Sequence, residues 1–456
     1  MDSAEEIVIV GGGICGLALA LALHRKGMRS IILEKSETLR DTGAAIGIRA
    51  NGWRALDQFG VASELRHKAV TIPRYNNLQF NLSSLDLLPP LDEEVVRRKN
   101  RLRWQKEAYV THSLLLSLRL LPLLSSSLPF YRIRDVWIDV GKQEEIPEVG
   151  ELRCVKRNDL IKILADALPP GTVRFGCQIV SVNMDQENVY PTLRLYGGKS
   201  IQAKVLIGCD GSRSIVAEFL GLKTAKPFSL LAVRGLANYP NGHAYPREFT
   251  RMRRGKITVG RSPITDNLVY WFVLQQSTQS DENLTHDPET IKRSTSNIVS
   301  GFPSDVIEMI EGAEVDSLPL THLRHRAPWD LLLTTFRKGT VTVAGDAMHV
   351  MGPFLGQGGS AALEDAVVLA RCLGQRIRTE DLSNGGRQIL IDEAGEAIDQ
   401  YVKERRKRVV ALSTRTYVTG LLLETRSQLV KFAAIVLLAI LFRDPISHTK
   451  YDCGRL

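Results

Sequence analysis

The apolar positions of this chain follow three patterns along its length. At the amino end, Ile7 to Val10 is a continuous apolar run of strand length, a glycine cluster follows, and Leu17 to His24 reads as an apolar helix. A second short run, Ser30 to Leu33, completes a strand, helix and strand unit. Helices are predicted from about Trp53 to Phe59 and across Leu160, Ile163, Leu164 and Ala167, the second stopped by Pro169-Pro170-Gly171. Thr172 to Phe175, Ile179 to Met184 and Thr192 to Tyr196 read as an antiparallel excursion, with Gly197-Gly198 as a hairpin turn. Buried strands return at Lys204 to Ile207 and Val341 to Ala344, the latter leading into a glycine-rich loop and an apolar helix that opens near Ser360 and runs through Leu373.

Between about Pro227 and Leu323 the pattern changes to short strands rich in β-branched and aromatic residues: Phe228 to Leu236, Glu248 to Arg253, Lys256 to Gly260 and Leu268 to Leu274. A helix from about Pro288 to Phe302 follows. Tyr239, His243, Tyr270, Trp271 and Phe272 could line a pocket, but aromatic residues in strands are read first as core. The third pattern is helical: about Glu393 to Thr416, carrying Arg405, Arg406, Lys407 and Arg408, which reads as a solvated face. Beyond it, Phe432 to Phe442 is an apolar run too short to span a bilayer, and its length favours a buried helix over an interfacial contact.

One stretch fits none of these. The chain contains 36 glycines, yet none lies between Val61 and Val140. Tyr75 to Tyr131 alternates leucine clusters with a charged knot and keeps no helical or strand period; it reads first as a poorly ordered insert, with a membrane-contacting or regulatory insertion and translated non-coding sequence as the other readings. Residues 74–134 hold ten Lys/Arg and five Asp/Glu, so they supply +5 of the chain's net charge of +9. The basic balance is therefore local, and no stripe of cations interleaved with aromatics points to nucleic acid. The six cysteines form no CxxC pair and no metal-spaced cluster, so they are expected as free thiols, with no metal. With no leader pattern before Ile7, the expectation is an intracellular, cytoplasmic protein, with peripheral membrane contact through 432–442 left open.

The candidate chemistry lies where apolar strands end. Gly11, Gly13 and Gly16 fit GxGxxG, and Glu34 stands at the end of the second strand, where a carboxylate accepts hydrogen bonds from ribose hydroxyls. Lys204 to Ile207 runs into Gly208-Cys209-Asp210-Gly211, and Val341 to Ala344 runs into Gly345-Asp346. Each delivers a carboxylate on a glycine loop at a strand end, beside bare backbone amides that favour anionic or electron-rich groups. Arg157 sits just before a helix, able to swing toward a ligand on the sheet; Arg49 and Asn51 carry no assigned role.

Taken together, GGGICG with Glu34, Arg157 ahead of a helix, GCDGSRS and GDAMHVMGPFLGQGG resemble the flavin-binding motifs of single-component FAD-dependent aromatic hydroxylases. This is the class A, para-hydroxybenzoate hydroxylase fold, and the chain is similar to plant monooxygenases related to salicylate hydroxylase. The resemblance implies an α/β protein with a Rossmann-like FAD-binding domain, an inserted mainly antiparallel β-sheet substrate domain and a C-terminal helical region. The expected boundaries are 1–72 plus 133–226 plus 325–375 for the FAD domain, 75–131 for the insert, 227–324 for the substrate domain and 376–456 for the helical region. It implies that Gly11, Gly13 and Gly16 hold the pyrophosphate, Glu34 with neighbouring Lys35 the adenosine ribose, and Arg157 the flavin side. Asp210 belongs to a motif linked to both FAD and NAD(P)H. Asp346 is placed at the ribityl chain or pyrophosphate, and Pro353, Gly356, Gln357, Gly358 and Gly359 along the flavin ring.

The implied reaction uses NADH or NADPH to reduce FAD, then dioxygen to hydroxylate a small, aromatic organic substrate through a flavin hydroperoxide. No catalytic residue follows from the sequence. A flavoprotein epoxidase, a membrane-associated oxygenase of a lipid-like substrate and an isoform inactivated by the insert remain alternatives. Departures from the family pattern are Ala217, where Arg commonly closes the second motif, with Arg213 nearby; Val350, where proline is common; and Ser360, where Asn is frequent. His349 reads as structural, and the oligomeric state is open.

Overall fold

In the computed structural model, residues 4–39, 44–80, 142–145, 150–184, 190–277, 287–314, 318–377, 387–425, 427–441 and 446–456 are described. The first sheet has eight strands, with the path 337–338, 341–343, 200–208, 5–10, 31–33 and 173–174, and the hairpin strands 179–183 and 192–195 branching from 200–208. Strands 341–343, 200–208, 5–10, 31–33 and 173–174 pair in parallel. Their near-continuous apolar runs are those of strands covered on both faces. The helix Ile14–Arg25 is buried from Cys15 to Leu23, because it lies between this sheet and the long helix Gly358–Arg376, itself buried over most of its length. Small side chains at Ala18, Ala20 and Ala22 permit that close approach.

Register decides where the ligand loops meet. Val10 is level with both Leu33 and Gly208, and Gly208 is level with Val343. Four strands therefore end side by side, and Gly11, Glu34, Asp210 and Asp346 follow within three residues of those ends. This edge is the ligand-binding edge of an open α/β sheet.

The second sheet has seven strands in the order 320–325, 226–238, 268–276, 257–265, 248–254, 74–80 and 142–145. Residues Val269, Trp271 and Val273 point to one face and pack on helices Pro288–Ile298 and Ser304–Glu311. Tyr270, Phe272 and Leu274 alternate with them and occupy the opposite face, as period-two geometry requires. Gly260 stands level with Phe272, and a Cβ there would lie 2.2 Å from the Phe272 ring, so the missing side chain makes room for the aromatic one.

Three expectations are corrected. The insert was placed from Tyr75, but Arg74–Phe80 is a strand that pairs in parallel with Glu248–Arg254 and antiparallel with Lys142–Glu145. Its alternation is masked in the sequence because Asn76 and Asn77 are polar on both sides of the pleat. The remainder of the expected insert, 81–131, lies outside the described residues. Second, the Arg405 to Arg408 run is not a solvated face: on the helix Arg387–Glu424, Arg405 is fully buried and Arg408 nearly so, both against carboxylates. Third, the apolar run near the carboxyl end is the helix Gln428–Leu441, which buries Ala434 and Leu438 but leaves Leu429 and Ile440 exposed, so it is not a buried helix. No described helix is long and apolar enough to cross a membrane.

Candidate functional site

At the first strand end, Gly11 has φ +105°, and a Cβ there would meet the Cys209 carbonyl at 2.6 Å. At Gly16 a Cβ would lie 2.0 Å from the Gly11 carbonyl, so the helix can start this close to the strand only with glycine. An added Cβ at Gly13 meets no atom within 4 Å, which leaves the first turn of the helix open to a ligand. Glu34 is buried and its carboxylate accepts the Gly12 amide at 2.7 Å and the Ser36 amide at 3.0 Å, so the acid is fixed against the glycine turn. Lys35 is exposed.

Asp210 accepts the Ile215 amide at 2.8 Å through Oδ2, while its Oδ1 is buried and unpartnered. Burial raises its carboxyl above the ordinary range, against hydrogen bonds from Ser214 and the Ile215 amide. Ser214 caps the short helix Ile215–Phe219 by accepting the Ala217 amide, and Ala217 is buried within it; Arg213 is exposed.

Asp346 opens the third loop. Its side chain has exposed surface, yet desolvation still holds its carboxyl above the ordinary range, opposed by His349, Arg157 and Arg234 and reinforced by Asp365. The two facts agree for a group at the bottom of a cleft: it touches open space but little bulk water. Arg157, the first residue of helix Arg157–Asp166, and Arg234, on the second sheet, thus bring charge from two different elements to bear on Asp346. Pro353 and Gly356 are exposed along the loop, Gly358 and Gly359 are half-buried at the start of Gly358–Arg376, and Gln357 is buried. Gln357 Oε1 accepts Asn51 Nδ2 at 2.9 Å, while its Nε2 is buried and unpartnered.

Behind the loop lies a buried ionic network. Asp365 Oδ2 accepts the Gly345 amide at 2.9 Å and stands 2.5 Å from His349 Nε2; its Oδ1 accepts Arg405 Nε at 2.7 Å. Glu364 accepts Asn51 Nδ2 at 2.6 Å and Arg408 Nη2 at 2.9 Å, and lies 2.7 Å from Arg405 Nη1 in an ion contact whose N–H is not aligned for a hydrogen bond. Burial alone would raise Asp365, but His349 and Arg405 outweigh it and hold the carboxyl at about 2. His349 is therefore a structural partner of Asp365, away from the cleft.

One face of the second sheet is aromatic. Tyr75 and Phe249 meet edge to face at 5.6 Å, Phe249 and Phe272 stack at 6.2 Å, and Tyr270 follows at 6.2 Å. Arg49 lies 5.2 Å over the Tyr75 ring, and Arg234 is level with Phe272. Burial pushes the Tyr270 phenol up to about 12, with Arg234 opposing. Tyr75, Phe249 and Arg234 were not singled out by the sequence; their signal is visible only once strand register sets them on one face.

FAD fits this arrangement. The open turn at Gly13, the unpartnered Asp210 Oδ1, the enclosed but exposed Asp346 and the bare amides at Gly358 would accept a pyrophosphate, a ribityl chain and an isoalloxazine edge.

Fold and site together define an FAD-dependent monooxygenase, an oxidoreductase with the para-hydroxybenzoate hydroxylase type of fold. The chain belongs to the FAD binding domain family, whose match spans residues 4–416. It is 45% identical over 453 residues to Monooxygenase 1 of Arabidopsis thaliana, covering 99% of both chains. It is 32% identical over 463 residues to Monooxygenase 2 of that species, covering 100% of this chain and 99% of the other. Among solved structures, an HpxO variant from Klebsiella pneumoniae complexed with FAD superposes with a TM-score of 0.71 at 18% identity, covering 98% of each chain. The 2,6-dihydroxypyridine-3-hydroxylase of Arthrobacter nicotinovorans superposes with a TM-score of 0.65 at 16% identity, covering 92% of this chain and 93% of that one.

Proposed function

We propose that this monooxygenase uses NADH or NADPH and dioxygen to hydroxylate a small aromatic substrate bearing an anionic group. The observation that carries the reading is the aromatic row Tyr75, Phe249, Phe272 and Tyr270, with Arg234 level with Phe272 in the same sheet and its charge felt at Asp346. Flat rings stack along such a row, and a guanidinium in a half-dry cleft selects a carboxylate or phenolate. In the overall balance, one oxygen atom enters the ring, the other leaves as water, and NAD(P)H supplies two electrons.

When bound, FAD supplies the redox chemistry and the activation of dioxygen. Gly11, Gly13 and Gly16 would admit its pyrophosphate, Glu34 would face its adenosine ribose, and Arg157, Asp210 and Asp346 would hold its flavin half; Pro353, Gly356, Gly358 and Gly359 would border the ring. The protein's own tasks are to orient the substrate, exclude water and hold a proton at Tyr270. Tyr270, like any tyrosine, is protonated at neutral pH, and burial pushes its phenol further up, to about 12, so it would donate a hydrogen bond to an anionic substrate oxygen.

Purified protein should be yellow and should oxidise NAD(P)H faster with phenolic acids than without. Arg234→Ala should raise KM by roughly ten- to hundredfold, the loss of about 1.5–3 kcal/mol for a charged hydrogen bond, with flavin content unchanged. A flavin-loaded enzyme whose NAD(P)H oxidation ignores a panel of anionic aromatics would overturn this reading.

A further inference from the structure

The segment 446–456 lies beyond residues 4–416, the span matched by the family, and its regular structure is one short helical turn, Ser447–Thr449. It is nevertheless closely held, with His448, Thr449 and Cys453 buried. The body of the protein grips it by its backbone carbonyls. Arg54 Nη1 donates to the Lys450 and Tyr451 carbonyls at 2.9 Å each, Gln58 Nε2 to that of Gly454 at 2.8 Å, Arg408 Nη2 to that of His448 at 2.7 Å, and Arg371 Nη1 to those of Cys453 and Arg455. Carbonyls outside helices and sheets need such donors once buried, and those from guanidinium groups are the stronger kind. Gly454 has φ +78°, and a Cβ there would lie 2.5 Å from Arg371 Nη1, so the segment closes on Arg371 only with glycine. The donors stand on three helices, Ala50–Phe59, Gly358–Arg376 and Arg387–Glu424, and the segment lies across their junction.

Tyr451 connects this segment to the cofactor loop. Its ring lies 4.6 Å from the Arg408 guanidinium and 5.5 Å from that of Arg405. These two cations hold Glu364 and Asp365, and Asp365 accepts the Gly345 amide and meets His349, on either side of Asp346. Tyr451 is half-buried, whereas Arg405 has no solvent contact. A ring over a guanidinium both attracts it and keeps water from it, and the attraction grows as the pair is desolvated. Arg54 adds a second path, because it shares a helix with Asn51, which donates to Glu364 and to Gln357 at the start of Gly358–Arg376.

We propose that segment 446–456 is a clasp that retains FAD, with Tyr451 as a positioning residue that acts through Arg405 and Asp365 on the Asp346 loop. The inference concerns the cofactor and does not depend on the identity of the substrate.

The test is FAD release from the full-length, FAD-loaded protein on dilution, followed by flavin fluorescence, with visible circular dichroism of the bound flavin and melting temperature measured alongside. Tyr451→Leu should release FAD about five- to tenfold faster and change the dichroism of the flavin, whereas Tyr451→Phe, which keeps the ring, should stay within about twofold of wild type. Arg54→Gln removes two donors to the segment without entering the buried ionic network and should release FAD about threefold faster. A residue that only supported the fold would lower the melting temperature and leave release from the folded protein unchanged. Wild-type release and dichroism in Tyr451→Leu, release from Tyr451→Phe as fast as from Tyr451→Leu, or wild-type release from Arg54→Gln would each overturn the proposal, the last deciding alone where Tyr451→Leu does not fold.

Discussion

Arg405→Met tests whether the flavin loop is held from behind. The guanidinium lies 2.7 Å from both Asp365 Oδ1 and Glu364 Oε2 and donates from Nη2 to the Ala361 carbonyl at 3.1 Å, all without solvent contact. Methionine approximates the volume but leaves two adjacent buried carboxylates. Glu364 keeps Arg408 and Asn51; Asp365 keeps only His349 and the Gly345 amide. Removing one partner of a buried ionic set costs about 3–5 kcal/mol, a large share of the ~5–15 kcal/mol that holds a typical domain folded. Some of the strain falls on Gly345 and His349, which flank Asp346, so FAD affinity should drop together with stability. The measurements are FAD fluorescence titration and thermal unfolding with and without excess FAD. The sign with pH is fixed. In the native protein Asp365 sits near 2, below its unfolded value, so its stabilisation is full above the unfolded pKa and disappears as pH falls through about 2. In the variant the buried Asp365 carboxyl, left with only His349 and the Gly345 amide, is raised, and its penalty is relieved by protonation as pH falls. The stability gap between the two proteins must therefore narrow from pH 7 toward pH 4. An Arg405→Met protein with wild-type FAD affinity and an unchanged or pH-independent melting temperature refutes the reasoning.

Gly16→Ala, whose Cβ would fall 2.0 Å from the Gly11 carbonyl, should open the first turn at a strain of about 1–3 kcal/mol and weaken FAD binding roughly tenfold or more, read by flavin content and titration. Among the six free cysteines only Cys177 is partly exposed, and burial pushes Cys154 and Cys453 up to about 12. Ellman's reagent should therefore titrate one thiol in the native protein and six after denaturation. Tyr75→Ala should raise KM for an aromatic substrate with little change in flavin content, since Tyr75 belongs to the sheet face and not to the glycine turns; loss of flavin instead would place Tyr75 in the cofactor half.

The strand ends were legible because each combines a buried apolar run with glycine and one carboxylate, a local pattern complete within about ten residues. Gly11, Asp210 and Asp346 could be found that way. The level alignment of Val10, Leu33, Gly208 and Val343 could not, because register is a property of pairs of strands. Arg405 misled for a related reason: four consecutive cations look solvated, but helical spacing turns Arg405 and Arg408 to the same side, where Glu364 and Asp365 lie on a helix forty residues earlier in sequence. Arg74–Phe80 was hidden because its polar residues sit in a sheet whose partner, Glu248–Arg254, is far away in sequence.

The cleft has two walls that are made independently, a parallel sheet that ends in glycine loops and an antiparallel sheet that carries the aromatic row. Glu364 and Asp365 project from the helix that begins at the flavin loop, and they reach the first wall through Gly345 and the carboxyl-terminal helix through Arg405. Arg326, next to the last strand of the second sheet, donates to the Ala347 carbonyl at 3.2 Å, while Ser413 of the carboxyl-terminal helix donates to the Arg326 carbonyl at 3.1 Å. The Asp346 loop is thus tied to both walls and to the helix Arg387–Glu424 by groups with no solvent contact or nearly none. A buried polar network of this kind has few alternative arrangements of similar energy, since each displaced member leaves an unpaired charge. The helix that lies outside the cleft is for this reason part of what fixes the position of Asp346 within it.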